Sequence, residues 1–487
     1  MDVKGFAQGF KAMLGARTVH IAANGVLVVI LTRFLLTPKE YGLLGSALAV
    51  FGVAGLFADL GTSKSAARYV TEYRERDPGQ VPHVLRSALK YRLVAIALVF
   101  VAFTVFTGTI ARIANQPELS PLLVFGGAYI AVYSLSTFAV VVFQGYNRVL
   151  WSAVTRAAGS VSLVVFVVLG VIFVGGAVGA VVGYVASYAL ATVVGLGVLY
   201  RRFYSTHAVG QREDGLNRRV LRYSVPLTAT QGANVLDKYI DTILVGGIAG
   251  ATAAGYYHLA KTISAFVEAP ASSLGFTISP TYGEQKAGNE RESAARLYET
   301  TFQHVLLLYV PAAAGLILVA DPVVTQVFGS GYAEAIPVVQ VFAVYTVLQA
   351  ITLITSDALD YLGRARERAI AKGGTSAANF GLNLLLIPSL GAVGAALATV
   401  ATHSVYVLVN LAVVHHELSL SIPRLLRHVG FVCAIALVMS AVVFASLQFV
   451  SGLVSLVAVV LLGGAVWAGL ATASGLLDVR RVLNVFA

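Results

Sequence analysis

The sequence predicts an all-α integral membrane protein of about fourteen transmembrane helices, arranged as two pseudo-symmetric six-helix lobes and two further C-terminal helices. Of its 487 residues, 57% are hydrophobic and 12% charged, whereas a soluble domain carries about 25% charged residues. Apolar runs of about 20 residues, the length that crosses a hydrocarbon core, recur along the chain. Basic residues gather in alternate joints between them. The net charge of +11 is spread in short groups between apolar runs, which is the pattern of membrane loops and not of a nucleic-acid surface. The single cysteine, Cys433, lies in an apolar run, so an intrachain disulfide and a cysteine metal site are both excluded.

Taken in order, the chain opens with Phe6, Phe10, Met13 and Leu14 at helical spacing among lysines. This is the pattern of a short interfacial helix, with an extension of the first span as the alternative. The first apolar run lacks a clear cleavage site and reads as a retained span, not a signal peptide. Spans are expected near 18–36, 42–60, 91–110, 121–143, 154–174, 178–200, 225–249, 255–275, 301–320, 336–356, 372–387, 391–414, 429–450 and 453–476. Residues 61–90, 201–222 and 280–300 are read as the longest soluble segments. The joints Gly175-Gly176 and Ser389-Leu390-Gly391 are very short, so the helices they join should be antiparallel neighbours.

With the N-terminus inside, the inner joints hold most of the basic residues, including Lys64, Arg68, Arg92, Arg201, Arg202, Arg364 and Arg480. The outer joints hold Arg33, Lys39 and Arg112. The bias alternates without reversal, which places both termini in the cytoplasm; arginine far outnumbers lysine, as in a high-GC prokaryote, so the expected location is a prokaryotic plasma membrane. The chain also repeats. Gly176 to Ala180 recurs identically as Gly391 to Ala395, Arg148 matches Arg364, and Gly42 matches Gly255, all at a nearly constant offset. The implied units are a lobe over 1–210, a second lobe over 211–428, and two added helices over 429–487. Both lobes start inside, so they are parallel repeats, and substrate is expected between them near mid-membrane.

Span seven carries the most informative residues. Gln231, Asn234, Asp237, Lys238 and Asp241 fall on one side of an otherwise apolar helix. A charge at membrane depth costs about 2.5–3.5 kcal/mol on insertion scales, so such groups face a bundle interior or a wet cavity. The plainer alternative is an internal ion pair of Lys238 with Asp237 or Asp241. On span eight, Lys261 and Glu268 share a face. Arg33, at the outer end of span one, either snorkels to headgroups or binds phosphate through its bidentate fork. Asp59 ends span two, where Lys64 or Arg68 can pair with it; His403 reads as a hydrogen-bonded structural group. The chain shows no P-loop, no His-Glu-x-x-His and no Gly-x-Ser-x-Gly. An enzyme is therefore not expected, and transport would draw on an ion gradient or on the substrate's own gradient.

Several short motifs carry a resemblance. Leu31-Thr32-Arg33, Pro38-Lys39-Glu40-Tyr41-Gly42, Asp59-Leu60-Gly61 and Ala67-Arg68-Tyr69 resemble the opening of polysaccharide-transporter flippases. These belong to the multidrug/oligosaccharidyl-lipid/polysaccharide exporter superfamily. Asp241 with Gly246, Gly255-Tyr256 with Ala260, Leu362-Gly363-Arg364, and Gly391 to Ala395 are similar to later parts of the family. The resemblance implies a V-shaped bundle with alternating access that flips a sugar linked to a polyprenyl phosphate or pyrophosphate to the outer leaflet. It makes Arg33, Asn234, Lys238 and Lys261 the substrate-binding candidates. Asp237 and Asp241 become candidates for a coupling Na⁺ or H⁺, and Asp59, Arg68 and Glu268 for gating or structural pairing. No cofactor is implied. The expected partners are a lipid-linked oligosaccharide, the bilayer and other glycan-assembly proteins. The alternative within the superfamily is an ion-coupled multidrug exporter, which needs a net acidic cavity that the lysines disfavour.

Overall fold

Inside a membrane every backbone polar group must be met within the protein, and helices do this segment by segment. The computed structural model describes residues 3–205, 210–268 and 291–477, and among them there is no strand. Among the described residues, eleven helices are long and apolar enough to cross a membrane. Ten of these hold one expected span each. The eleventh, Ala365–Leu418, holds two, because its helical path breaks at Gly391 (φ 56°, ψ −134°). The remaining two expected spans are Leu216–Ala249, whose polar stripe lowers its hydropathy, and a helix over 251–268 that leads into residues outside the description. A count of fourteen is compatible with this arrangement.

The helices divide into two compact units, Met1–Gly255 and Tyr256–Ala487. Span seven thus packs with the spans before it. The first unit contains α1 (Val3–Ile30), α2 (Pro38–Asp59), α3 (Thr62–Arg76), α4 (Val81–Ile113), α5 (Gly126–Gly145), α6 (Val149–Val174), α7 (Gly176–Leu199) and α8 (Leu216–Ala249). The interfacial helix expected at the N-terminus is not a separate element. From Val3 the chain runs unbroken into the first span and ends in a π-helical turn, Leu31–Leu35, that holds Arg33. A single glycine, Gly15, is too weak a breaker to part the two.

Residues 61–90, read as a soluble segment, are mostly helical. Their charge masks an apolar stripe, Ala66, Tyr69, Val70 and Tyr73, with which α3 packs into a core with Val84 of α4 and Phe143 of α5. The linker before α8 also docks here. The Gln80 side chain donates to the Gln211 carbonyl (2.6 Å). Glu213 accepts from the Tyr73 hydroxyl and from Arg219 (2.8 Å). The Tyr73 hydroxyl and then the Arg219 guanidinium hold the Glu213 carboxyl below the usual range.

The tightest polar knot of this unit centres on Arg92 of α4, which has no exposed surface. Its Nε donates to Thr62 (3.1 Å), one terminal nitrogen to the Ser134 carbonyl (2.5 Å) and hydroxyl (2.7 Å), and the other to Ser63 (2.5 Å) and Asp59. All five guanidinium donors are thereby met. The knot fixes the turn between α2 and α3, where Leu60 and Gly61 have positive φ, and ties it to α4 and α5. The partner expected for Asp59 was Lys64 or Arg68. Arg92 takes that place, and Arg68 instead lies over the Tyr223 ring of α8 at 4.2 Å. Sequence proximity misleads here because Arg92 reaches Asp59 from α4, while the Arg68 guanidinium is engaged by the Tyr223 ring.

The second unit starts within the 251–268 helix and continues with α9 (Arg291–Pro322), α10 (Ile336–Tyr361), α11 (Ala365–Leu418), α12 (Ile422–Leu447) and α13 (Leu453–Ala473). Its core joins Tyr298, Phe302 and Val305 of α9 to Ile354 and Ala358 of α10 and Val407 of α11. Arg364, at the start of α11, meets Glu417, at its end, at 2.6 Å. A straight 54-residue helix would hold those ends about 80 Å apart. The contact therefore requires the reversal at Gly391, as the short joint predicts. The two C-terminal helices rest on α9 through Val319, Met439, Val443 and Leu456, and Trp467 donates to the Leu307 carbonyl (2.8 Å).

Breaking a buried ion pair by removing one partner costs about 3–5 kcal/mol, much of it from the group left unmatched. We expect Arg92→Ala to lower the thermal unfolding midpoint of the purified protein sharply. Adding Asp59→Asn should recover part of the loss. A midpoint unchanged in Arg92→Ala would show that the knot does not hold the unit.

Candidate functional site

The polar stripe of α8 is not uniform. Asn234 and Lys238 are exposed, Gln231 and Asp237 are half-buried, and Asp241 is buried at 3% exposure, beside Thr242. Because α8 packs on α2, α3 and α4, its last turns are drawn into the unit while its middle stays open. Gly246 seats the Gln116 side chain, and the Asn115 side chain donates to the Gly247 carbonyl (2.6 Å). The expected stripe is thus split into an open part at Asn234 and Lys238 and an enclosed part at Asp241.

Lys238 lies 11 residues before the end of α8. At 1.5 Å per residue that is about 16 Å, half the thickness of a hydrocarbon core. Its Nζ stands 5.0 Å from the centre of the Tyr239 ring and hydrogen-bonds that residue's hydroxyl. Tyr239 fits because position 52 of α2 is glycine: a Cβ there would come within 2.4 Å of the ring.

Around this lysine the structure assembles residues that the motif search passed over. Tyr129 and Tyr133 of α5 and Tyr184 and Tyr188 of α7 form a cluster. Tyr133 and Tyr188 meet edge-to-face at 4.9 Å, Tyr129 and Tyr133 stack at 5.7 Å, and Tyr129 packs on Phe51 at 5.0 Å. Tyr133 is 41% exposed. Yet it lies within electrostatic range of Lys238 and Tyr239 on α8 and of Arg156 on α6. The exposed ring of Tyr133 thus has charged and aromatic residues of α6, α7 and α8 near it. Arg156 in turn lies in electrostatic range of His20 of α1, whose ring nitrogen is 2.8 Å from the Ser160 hydroxyl. The signal available in the sequence was the pair of Tyr-x-x-x-Tyr spacings on spans four and six, which place each pair on one helix face.

The other expected residues fall elsewhere. Arg33 is exposed in the π turn at the end of α1. Lys261 belongs to the second unit. It stands 5.7 Å from the Tyr257 ring and within electrostatic range of His258 and Glu268. Glu268 is the last described residue before the gap, and its backbone carbonyl accepts from Tyr309 (3.4 Å). His403 hydrogen-bonds Thr352 at 2.9 Å, as a structural histidine should. The same unit holds an uncharged network in which Asn379 contacts Asn383, Thr399 and Thr402. No group of three or more His, Cys, Asp or Glu suited to a metal occurs among the described residues.

This helical arrangement is the fold of a known class of membrane transporters. The lipid II flippase MurJ in an inward closed conformation matches it with a TM-score of 0.77 over 96% of this chain and 98% of that one, at 14% identity. An inward-facing multidrug resistance transporter of the MATE family matches with a TM-score of 0.70 over 82% of this chain and 94% of that one, at 15% identity. Residues 9–281 match the family described as polysaccharide biosynthesis protein, and the chain belongs to that family. Among its relatives, the probable low-salt glycan biosynthesis flippase Agl15 of Haloferax volcanii is 23% identical over 81% of this chain and 80% of its own length. The lipopolysaccharide biosynthesis protein WzxC of Escherichia coli is 23% identical over 69% of this chain and 65% of its own length.

Exposed side chains away from packing usually shift stability by less than about 0.5 kcal/mol when replaced. Lys238→Ala should therefore leave the thermal midpoint near wild type while lowering transport at least about tenfold; Lys261→Ala, at a half-buried side chain, should also lower transport with the protein still folded. Loss of folded protein in both would mark them as structural ion-pair partners.

Proposed function

We propose that the protein moves a lipid-linked oligosaccharide, carried on a polyprenyl phosphate or pyrophosphate, from the cytoplasmic to the outer leaflet of a prokaryotic plasma membrane. The observation that carries this reading is the tyrosine cluster of the first unit, whose exposed ring, Tyr133, lies in electrostatic range of Lys238 and Arg156. Cations attract phosphate, more strongly where the surroundings are less polar than bulk water, and aromatic rings beside them suit a sugar. The fold it shares with a lipid II flippase and its similarity to glycan flippases support the same reading. Two helical lobes alternate access, both termini are cytoplasmic, and Asp237 and Asp241 couple the cycle to Na⁺ or H⁺. Arg33, Asn234 and Lys261 complete the set that meets the head group. Export of cationic drugs fits less well, because the charges nearest the tyrosines are themselves positive.

Deleting the gene in its host and extracting the lipids tests this. Accumulation of a lipid-linked sugar together with loss of surface glycan is the expected result. Unchanged lipids and glycans with new sensitivity to cationic toxins would point to the drug exporter.

A further inference from the structure

We propose that the tyrosine cluster of α5 and α7 is a sugar-docking platform, distinct in role from the cations that hold the phosphate. The inference rests on the transport reading above and assigns one part of its substrate to one group of side chains.

Three features carry it. First, the cluster is graded from buried to open. Tyr129 is 8% exposed and sits on Phe51 as a floor, whereas Tyr133 is 41% exposed above it, with Tyr184 and Tyr188 half-buried at its side. A purely structural cluster in a membrane has no need of an open ring. It also has no need of phenols where phenylalanine would spare the burial of a hydroxyl. Second, the rings make a corner. Tyr129 and Tyr133 are parallel, with 8° between planes, while Tyr188 stands at 82° to Tyr133. A pyranose presents an apolar C–H face and a rim of hydroxyls. A flat ring beside an upright one offers a surface for the face and phenol oxygens for the rim, with few rotatable bonds to fix. Third, the charge around the corner selects its occupant. Tyr133 lies in range of both Lys238 and Arg156. Aromatic groups alone would welcome a cation, but two neighbouring positive charges repel it and favour a neutral or acidic sugar joined to phosphate.

The test uses full-length protein in lipid nanodiscs and two probes, a bare polyprenyl pyrophosphate and the same lipid bearing an N-acetylhexosamine. The wild type should bind the sugar-bearing lipid about tenfold more tightly. Tyr133→Ala and Tyr188→Ala should abolish that preference while keeping the affinity for the bare lipid. Lys238→Gln should weaken both probes by the same factor. Tyr133→Phe, which keeps the ring and its packing, should retain most of the preference. Equal affinity of the wild type for the two probes would overturn the platform without touching the transport reading, and needs no variant. A loss in the alanine variants that is equal for both probes would also overturn it, as a packing role. If neither probe binds above an ordinary phospholipid, the transport reading fails and the platform with it.

Discussion

A guanidinium with no exposed surface persists in a membrane protein only when each of its donors is met, and Arg92 meets all five within one turn region. The first unit depends on this. The knot sets where α2 stops, how α3 leaves it and how α4 and α5 stand against both. With α2 fixed, Gly52 offers its gap to Tyr239. With α5 fixed, Tyr129 and Tyr133 are held against α7. The buried cation therefore orders the frame on which the open cation, Lys238, is presented.

The two cations illustrate a division that runs through the molecule. Arg92 and Arg364 are consumed by carboxylates and hydroxyls and serve the fold. Lys238 and Arg156 are exposed side chains beside the tyrosine cluster. A membrane protein places charge at depth where a bundle interior or a wet cavity receives it, so exposure rather than charge alone distinguishes a candidate site residue from a structural one.

Much of this was legible in the sequence. Composition and the alternating basic joints gave the helical membrane fold. The short Gly175-Gly176 and Ser389-Leu390-Gly391 joints gave antiparallel neighbours, and Gly391 indeed reverses the chain. Lys238 stood out because an apolar run has no use for it. What stayed hidden depended on three-dimensional approach. Asp59 has two basic residues just downstream, yet its partner is 33 positions away, beyond a left-handed turn. The helix over 62–76 lies in a segment read only as soluble, because its charged face outweighs its apolar stripe. Asp241 shares a stripe with Lys238 but is drawn into packing by its neighbours α2 and α4. The tyrosine cluster was passed over because two i, i+4 aromatic pairs on separate helices look like ordinary core until the helices are seen side by side.

The central claim is that this chain carries a lipid-linked sugar across the bilayer, and reconstitution into liposomes tests it most directly. With a fluorescent polyprenyl-pyrophosphoryl sugar loaded in one leaflet, proteoliposomes should expose it to an impermeant sugar-modifying reagent on the other side much faster than protein-free liposomes do. Sugar exposure no faster than in protein-free liposomes, with extrusion of a cationic dye by the same vesicles, would contradict the account.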